Sequence, residues 1–120
     1  MGKILYAKTH EWADIDNGKA KVGISDHAQS ELKDIVFVSL PSVGDTVVQG
    51  ETFCEVESVK AVSEIYSPVS GKIVAVNKEL EDAPELINDD AMNAWICQIE
   101  LSEEPEGLLT EDEYKAFIAG

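Results

Sequence analysis

The stretch Glu57-Ser58-Val59-Lys60-Ala61-Val62-Ser63-Glu64, ESVKAVSE in one-letter code, joins two runs of residues that are typical of β-strands, 52–57 and 62–66. Two such runs with a short connection predict a β-hairpin, and Lys60 lies at its tip. A tight turn holds the lysine away from the fold, within reach of an enzyme that supplies an activated acyl group. A surface lysine that serves only the solubility of the protein is also common in such a turn. The hairpin alone therefore leaves the role of Lys60 open.

The chain on both sides of this hairpin predicts further strands. Asn17-Gly18 is the strongest turn signal, because both residues tolerate the positive φ of a tight hairpin, and it joins strands at 11–16 and 19–24. The apolar run 35–41 (IVFVSLP) predicts a strand that is buried on both faces. Shorter strands are predicted at 46–48, 72–76 and 95–101.

Two of these predicted strands begin in the same way. Gly44 and Gly71 each precede a short β-type segment, one on either side of the hairpin. A repeated glycine, turn and strand around a hairpin predicts a small sandwich with approximate internal symmetry.

Three short helices are predicted beside the strands, near 26–33, near 80–88 and from Thr110 onward. Ser25 can cap the first helix, in which Ala28 and Leu32 form an apolar side. Thr110-Glu111-Asp112-Glu113 is a capping-box sequence, which predicts the start of the last helix. The expected packing stripe of that helix is Tyr114, Phe117 and Ile118.

Composition limits the functions that this chain can have. Its 120 residues suit a single domain over residues 1–120. All nine basic residues are lysines and 24 residues are acidic, so the net charge is −15. The electrostatic field of this negative charge repels nucleic acid and anionic membranes, and it favours association with basic surfaces of partner proteins.

Cysteine, histidine and apolar patterns add further expectations. Cys54 and Cys97 form no CxxC pair and are expected to be reduced interior thiols. His10 and His27 lack a set of neighbouring ligands, so no metal site is expected. The N-terminal residues do not resemble a signal peptide, and no run approaches the roughly 20 apolar residues of a membrane span. These patterns predict a cytoplasmic protein.

Five segments, in order, resemble the H proteins of the glycine cleavage system. They are THEW at 9–12, VGISDHAQSELKDIVFVSLPSVGD at 22–45, ESVKAVSEIYSPVSGKIVAVN at 57–77, NKELEDAPELIN at 77–88 and LLTEDEYKAFI at 108–118. Together they cover nearly the whole chain. The resemblance implies a mainly β fold with short helices (α+β), the barrel-sandwich hybrid of lipoyl and biotinyl carriers, with a C-terminal helix.

The resemblance also implies a function, that of a carrier rather than an enzyme. Lipoate would be attached covalently at Lys60 by a lipoyl-attaching enzyme. The arm would take an aminomethyl group from a pyridoxal-phosphate-dependent glycine decarboxylase to a tetrahydrofolate-dependent aminomethyltransferase. A dihydrolipoyl dehydrogenase would then reoxidise the dithiol. A diffusing shuttle of this kind is expected to be a monomer.

Further site residues follow from the same resemblance. Glu57 and Gly71 match positions that the lipoyl-attaching enzyme recognises in the family. Glu11, with Thr9 beside it, would accept the protonated amine of the cargo in a cleft beside the hairpin. The rest of that cleft or the flank of the hairpin would come from Ile24, Ala28, Leu32 and Glu64.

Other functions remain open from the residues alone. A biotinyl carrier usually has methionines beside its lysine, whereas Val59 and Ala61 flank Lys60. A lipoyl carrier of another pathway is also possible, because residues 90–95 (DAMNAW) depart from the glycine-rich segment with tyrosine that is common in the family. An acidic interaction module would leave Lys60 unmodified. A Schiff-base lysine needs desolvation or a cationic neighbour, and Lys60 has Glu57 and Glu64 nearby instead.

Overall fold

The computed structural model describes residues 2–120, which form nine β-strands and four short helices. The strands are β1 Lys3–Tyr6, β2 Glu11–Asp16, β3 Lys19–Ile24, β4 Ile35–Ser39, β5 Thr46–Val47, β6 Thr52–Ser58, β7 Val62–Tyr66, β8 Gly71–Val76 and β9 Cys97–Leu101. The helices are α1 Asp26–Leu32, α2 Glu79–Asp82, α3 Leu86–Asp89 and α4 Glu111–Ala119. Most predicted strands are therefore confirmed, whereas β1 was not predicted.

Two antiparallel sheets form the body of the protein. One has six strands in the order β1-β2-β3-β9-β8-β5, and the other has three in the order β4-β6-β7. Val22 and Ile99 from the first sheet share one buried apolar cluster with Val38 and Val56 from the second. The described sheets are open and do not close into a barrel, so the predicted mainly β carrier fold is confirmed in a sandwich-like form.

The turn predictions agree with the backbone. Asn17 and Gly18 have φ of 53° and 76°, and they connect β2 to β3 through the pair Asp16↔Lys19. The two glycine-led segments are also related in space, because β5 and β8 pair antiparallel through Thr46↔Lys72 and Val47↔Gly71. The two segments therefore lie side by side, and the internal symmetry that their likeness predicts stays a prediction.

The prediction that residues 35–41 are buried on both faces is wrong. Ile35 and Val38 are buried, but Val36 and Phe37 are exposed. A β-bulge between Ile35 and Phe37 shifts the register of β4 against β6. The three-stranded sheet covers the core with one face only, so the apolar composition of β4 does not reflect burial on its outer face.

Two predictions about helices need correction. Residues 80–88 do not form one helix, because α2 ends before Pro84 and α3 begins after it. The proline ring disfavours helical backbone at the residue before it, and Ala83 has φ −136° and ψ 65°.

In α4 the capping box is confirmed, but Phe117 does not pack as expected. Thr110 and Glu113 bond each other's backbone N–H groups, as the sequence predicted. Tyr114 is buried and Ile118 packs in the same cluster, with Leu109 beside them. Phe117 is 44% exposed, because α4 covers the sheet with a stripe narrower than predicted. None of the helices within residues 2–120 is long and apolar enough to cross a membrane.

Candidate functional site

The tip of the β6–β7 hairpin is held by its own hydrogen bonds. The last strand pair is Glu57↔Val62, and the Ser58 N–H donates to the Ala61 carbonyl at 2.8 Å. Ser58 Oγ accepts from the N–H groups of Lys60 at 3.3 Å and Ala61 at 3.2 Å. Lys60 itself is exposed. The turn therefore presents the Lys60 amine to solvent from an ordered backbone.

A second contact ties this tip to the start of the neighbouring strand. The Val59 N–H donates to the carbonyl of Asp34 at 3.0 Å, directly before β4 begins. The tip is thus bound on both sides, by its own turn and by the chain that leads into β4. These backbone bonds fix the direction in which the side chain of the adjacent Lys60 projects from the protein surface.

Glu57 and Gly71, the two predicted recognition residues, lie in different surroundings. Glu57 is exposed on β6. Gly71 is buried in β8, between Val47 and Leu101 of the neighbouring strands. A Cβ atom at Gly71 would overlap the backbone carbonyl of Glu100. The requirement for glycine at 71 is therefore close strand packing, rather than the turn that the sequence suggested.

A cavity of about 280 Å³ lies beside β7. Six predicted site residues line it, namely Thr9, Glu11, Ile24, Ala28, Leu32 and Glu64. Five further lining residues were not selected from the sequence, namely His10, His27, Glu31, Ser63 and Ile65. Helical spacing would have found two of them, because His27 and Glu31 are one turn apart and flank Ala28 on α1.

Glu11 is the buried acid of this cavity, with 2% of its surface exposed. Its Oε2 accepts from the backbone N–H of Tyr66 at 3.1 Å, and its Oε1 accepts from the Thr9 hydroxyl. Burial raises the pKa of Glu11 from 4.5 to about 7, although these two hydrogen bonds act in the opposite direction. The carboxyl group can therefore gain or release a proton near neutral pH.

The loop before Glu11 is anchored by His10, whose φ is 79°. Its Nδ1 lies 2.7 Å from the Tyr114 hydroxyl, and that hydroxyl lies 2.7 Å from Ser25 Oγ. The Ser25 N–H donates to the His10 carbonyl at 2.9 Å. Burial lowers the pKa of His10, and the nearby His27 lowers it further. One network thus joins α1, α4 and the loop that carries Thr9 and Glu11.

Lys60 and the buried acid lie at opposite ends of one strand. β7 begins two residues after Lys60 and ends at Tyr66, whose N–H binds Glu11. Its five residues span about 13 Å at about 3.3 Å per step. Ser63, Glu64 and Ile65 of this strand line the cavity between these ends.

The other cavities of similar size lie elsewhere. One of about 400 Å³ is lined mainly by polar residues of β2 and β3, and one of about 370 Å³ lies between α1 and α4. Neither is lined by Glu11 or by a residue of the hairpin tip. Within residues 2–120, no three or more His, Cys, Asp and Glu side chains are grouped so as to hold a metal ion.

Residues 91–94, where the sequence departs from the family pattern, contact β2 and the cluster around Tyr114. The Trp12 indole N–H donates to the Ala91 carbonyl at 3.2 Å, and Met92 packs against the Tyr6–Trp12–Tyr114 cluster. None of residues 90–95 has a positive φ. The loop therefore has no need of glycine in this chain.

Comparisons with known proteins agree with one another. The family described as "Glycine cleavage H-protein" matches residues 4–120. A glycine cleavage system H protein of Alkaliphilus oremlandii is 53% identical over 116 residues, which cover 95% of this chain and 91% of the relative. The H protein of Acidobacterium capsulatum is 55% identical over 115 residues, 94% of this chain and 89% of the relative.

The same similarity is present among solved structures. The crystal structure of a glycine cleavage system H protein from Mycobacterium marinum superposes with a TM-score of 0.92. It is 39% identical in sequence, and the match covers 100% of this chain and 99% of the other. Fold and sequence therefore point to the same group of proteins.

Proposed function

This chain belongs to the glycine cleavage H-protein family and is a lipoyl carrier, and from that premise we propose that Lys60 carries the lipoyl group. The observation that carries the proposal is the exposed amine at a hydrogen-bonded hairpin tip, beside a cavity with a buried acid. Attached there, the arm would take an aminomethyl group from the glycine decarboxylase to the aminomethyltransferase.

The residues of the cavity fit such a group. Ile24, Ala28 and Leu32 offer an apolar wall for the methylene chain and ring. An extended lysine with a lipoyl chain adds about ten bonds of roughly 1.5 Å, which zigzag over a length similar to that of β7. The dithiolane would supply the disulfide chemistry that takes up and releases the cargo. The protein supplies attachment, reach and shelter.

Glu11 is the proposed acceptor for the cargo amine. As a carboxylate it attracts an ammonium group and accepts its N–H, while the bonds from Thr9 and Tyr66 hold its two oxygens in place. An amine that is bound in this way is removed from water, which would otherwise release it by hydrolysis. The pKa of Glu11 near 7 means that the carboxyl gives up its proton at little cost when a cation enters.

The proposed partners are the other components of the system. They are the glycine decarboxylase, the aminomethyltransferase, dihydrolipoyl dehydrogenase and an enzyme that attaches lipoate. A tethered arm raises the local concentration of cargo at each of them without tight binding. The buried, unpaired Cys54 and Cys97 suit a reducing compartment such as the cytoplasm.

Lys60→Arg tests the attachment site. Arginine keeps the positive charge but does not accept the acyl group, so we expect no mass gain when the variant is incubated with a lipoate–protein ligase, lipoic acid and ATP. The wild-type chain should gain one lipoyl group under the same conditions. Intact-mass spectrometry makes the measurement. Exchange of CO2 with glycine, in the presence of the decarboxylase, should be lost in parallel.

Lys72→Arg is the matched control, since Lys72 is likewise an exposed lysine but lies in β8 rather than at the hairpin tip. It should gain the lipoyl group as the wild type does. A lipoylated Lys60→Arg variant, or a wild-type chain that is modified at another lysine, would contradict the assignment. Modified wild type that fails in glycine–CO2 exchange would instead favour a lipoyl carrier of another pathway.

A further inference from the structure

A chain of three hydrogen-bonded side chains ends in the wall of the cavity that Glu11 lines. Ser25 Oγ lies 2.7 Å from the Tyr114 hydroxyl, and that hydroxyl lies 2.7 Å from His10 Nδ1. Ser25 is 1% exposed and Tyr114 is 4% exposed, so solvent scarcely reaches the first two members. Their hydroxyl protons must therefore find acceptors within the protein.

The direction of these bonds follows from the partners of Ser25. Within residues 2–120 its Oγ has two, the Tyr114 hydroxyl and the backbone N–H of Ala28, which donates to it at 3.1 Å. A backbone N–H can only donate, so the hydroxyl proton of Ser25 has one acceptor, the oxygen of Tyr114. Tyr114 in turn donates its own proton to Nδ1 of His10. The reverse order would leave the Ser25 proton buried without an acceptor, which costs more than a typical hydrogen bond contributes.

This order of donors assigns the protonation state of His10. A ring nitrogen that accepts a hydrogen bond carries no proton, so the proton of the neutral ring is on Nε2. A charged ring would carry a proton on Nδ1 as well, and that proton would point at the proton of the Tyr114 hydroxyl. Charging His10 therefore requires the whole chain to reverse, and the Ser25 proton would then lose its acceptor.

The surroundings of His10 also oppose a charge. Burial lowers its pKa, the ring of His27 at 4.8 Å lowers it further, and Glu31 raises it to a smaller extent. Oε1 of Glu31 lies 3.7 Å from Nε2 of His27, whereas His10 has no ion-pair partner in the part of the chain that the structure describes. The ionisable groups around His10 are Lys8 and Glu11 of its own loop and strand, His27 and Glu31 of α1, Tyr114 of α4 and Glu64 of β7.

A charge on His10 would act on the cargo. His10 and Glu11 line the same cavity of about 280 Å³. A compact space of that volume is roughly 8 Å across, and salt screens charges only beyond about 8–10 Å. An imidazolium in the wall would therefore repel an ammonium group inside the cavity and compete with it for the Glu11 carboxylate. A neutral His10 leaves that carboxylate to the cargo.

We propose that Tyr114 is a positioning residue, whose hydroxyl keeps the His10 ring uncharged in the cavity wall so that Glu11 can hold the cargo amine. This inference rests on the proposed function. Tyr114 does not line the cavity itself and acts through His10. The C-terminal helix thereby contributes to a site that the start of the chain builds.

Nuclear magnetic resonance of the unmodified chain tests the first step. The nitrogen chemical shifts of the imidazole ring show which nitrogen carries the proton, and their change with pH gives the pKa of His10. We expect the proton on Nε2 in the wild type. In Tyr114→Phe the pKa of His10 should rise by about 0.4–1 pH unit, the equivalent of one lost hydrogen bond to the neutral ring.

Tyr6→Phe is the matched control. Tyr6 stacks on Tyr114 in the same cluster, with ring centroids 4.4 Å apart, and its hydroxyl contacts Met92 rather than His10. Its removal should leave the tautomer and the pKa of His10 unchanged. Circular dichroism of both variants checks that the fold is retained.

Retention of the cargo tests the second step. The lipoylated chain is loaded by the glycine decarboxylase with glycine, separated from the enzyme and followed by the release of ammonia. At pH 6.5 Tyr114→Phe should release ammonia at least about twofold faster than the wild type, because more of its His10 is charged. At pH 8.5, where the imidazole is neutral in both proteins, the rates should agree. A fold that is merely looser would raise the rate at both pH values.

His10→Asn provides a second variant. Asparagine tolerates the positive φ at this position, can accept a hydrogen bond from Tyr114 and cannot be charged. Added to Tyr114→Phe, it should remove the excess release of ammonia at pH 6.5.

The results separate this inference from the function on which it rests. A proton on Nδ1 in the neutral wild type, or a pKa of His10 that Tyr114→Phe leaves in place, would overturn the inference whether or not the chain carries a lipoyl group. A raised pKa without faster release at pH 6.5 would overturn the effect on the cargo. A wild-type chain that is never lipoylated would instead overturn the proposed function, and the role of His10 in holding cargo with it.

Discussion

Glu11 combines two properties that oppose each other at neutral pH, burial and an ionisable carboxyl group. Burial favours the protonated form, while the N–H of Tyr66 and the hydroxyl of Thr9 favour the carboxylate. Since burial is the larger effect, the pKa lies near 7 in the folded chain and near 4.5 when the chain is unfolded. Between these two values the folded protein holds a proton that the unfolded chain has released.

This difference predicts a pH dependence of stability. Because the folded state binds more protons between pH 4.5 and about 7, the free energy of unfolding should fall as the pH rises through that range. The loss attributable to Glu11 is complete above about pH 7 and amounts to at most about 3 kcal/mol. Urea unfolding of the wild type and of Glu11→Gln at pH 5 and pH 8 measures it.

Glutamine is a close replacement here. Its carbonyl can accept from Tyr66 and its amide can donate to Thr9, without a titrating group. The difference in stability between the variant and the wild type should therefore shift in favour of glutamine by up to about 3 kcal/mol between pH 5 and pH 8. If the stability of the two proteins changed with pH in parallel, the pKa of Glu11 would be the same in the folded and unfolded chain, which would contradict this prediction.

Gly71 shows how a residue that looks like a recognition signal can have a structural cause. Its lack of a side chain lets β8 approach the Glu100 backbone of β9. Replacement would push these strands apart and alter the fold on which any recognition by a partner depends. Glu57 differs, because its exposed carboxylate can change without disturbing the packing.

At the scale of elements, α4 connects the end of the chain to the cavity. Leu109 pairs with Tyr6 through two backbone hydrogen bonds of 2.7 and 2.8 Å just before the helix begins. Tyr114 then stacks on Tyr6, with ring centroids 4.4 Å apart, and its hydroxyl meets His10 and Ser25. Through Tyr114, α4 therefore stabilises the loop that carries Thr9 and Glu11.

Tyr114→Phe isolates the contribution of that hydroxyl. The ring stack stays, but His10 Nδ1 and Ser25 Oγ lose a partner in a largely buried place, so we expect a loss of about 1–3 kcal/mol in the free energy of unfolding. Tyr66→Phe removes a hydroxyl whose partner, Glu64, is exposed. It should cost less than about 0.5 kcal/mol. Equal losses for the two variants would argue against the network.

Local signals predicted the elements whose form is decided locally. The Asn17-Gly18 turn, the Ser25 and Thr110 caps and the strands of the hairpin follow from neighbouring residues alone. The outer face of β4 could not be predicted in this way, because composition does not show which side of a strand another sheet covers. The break at Ala83-Pro84 follows from the proline, whose restriction of the preceding residue outweighs the helical pattern around it.

The site was predicted less from the residues than from the resemblance. A buried glutamate in a strand has no signature in one sequence, and six cavity residues came from the family likeness. The His10–Tyr114 contact joins residues 104 apart in the chain, so only the folded backbone shows it. The exposure of Val36 and Phe37 was hidden for a similar reason, because the composition of β4 is typical of a core strand.

At the scale of the whole molecule, both sheets share one core. Val38, Val56 and Ile65 of the smaller sheet are buried in the same cluster as Val22 and Ile99 of the larger one. Neither sheet can expose its inner face without exposing the other. Because the two sheets share this core, we expect residues 1–120 to form a single domain.

Scanning calorimetry tests that prediction. We expect one transition whose calorimetric and van't Hoff enthalpies agree, as for a two-state domain of this size. The experiment is done in added salt, because screening a net charge of −15 reduces the self-repulsion that destabilises the folded state. Two separate transitions at moderate salt would show that the sheets unfold independently.

The shared strand β7 also sets a dimension for the carrier. Lys60, the proposed attachment site, lies just before one end and the Glu11 carboxyl is held at the other, so backbone geometry fixes the separation between them. Adding or deleting one residue there would change that length by about 3.3 Å and turn the following side chains to the opposite face. Under the proposed attachment at Lys60, a prosthetic chain a few methylenes shorter would not reach the acid, and the strand would therefore select for the length of the attached group as well as for its chemistry.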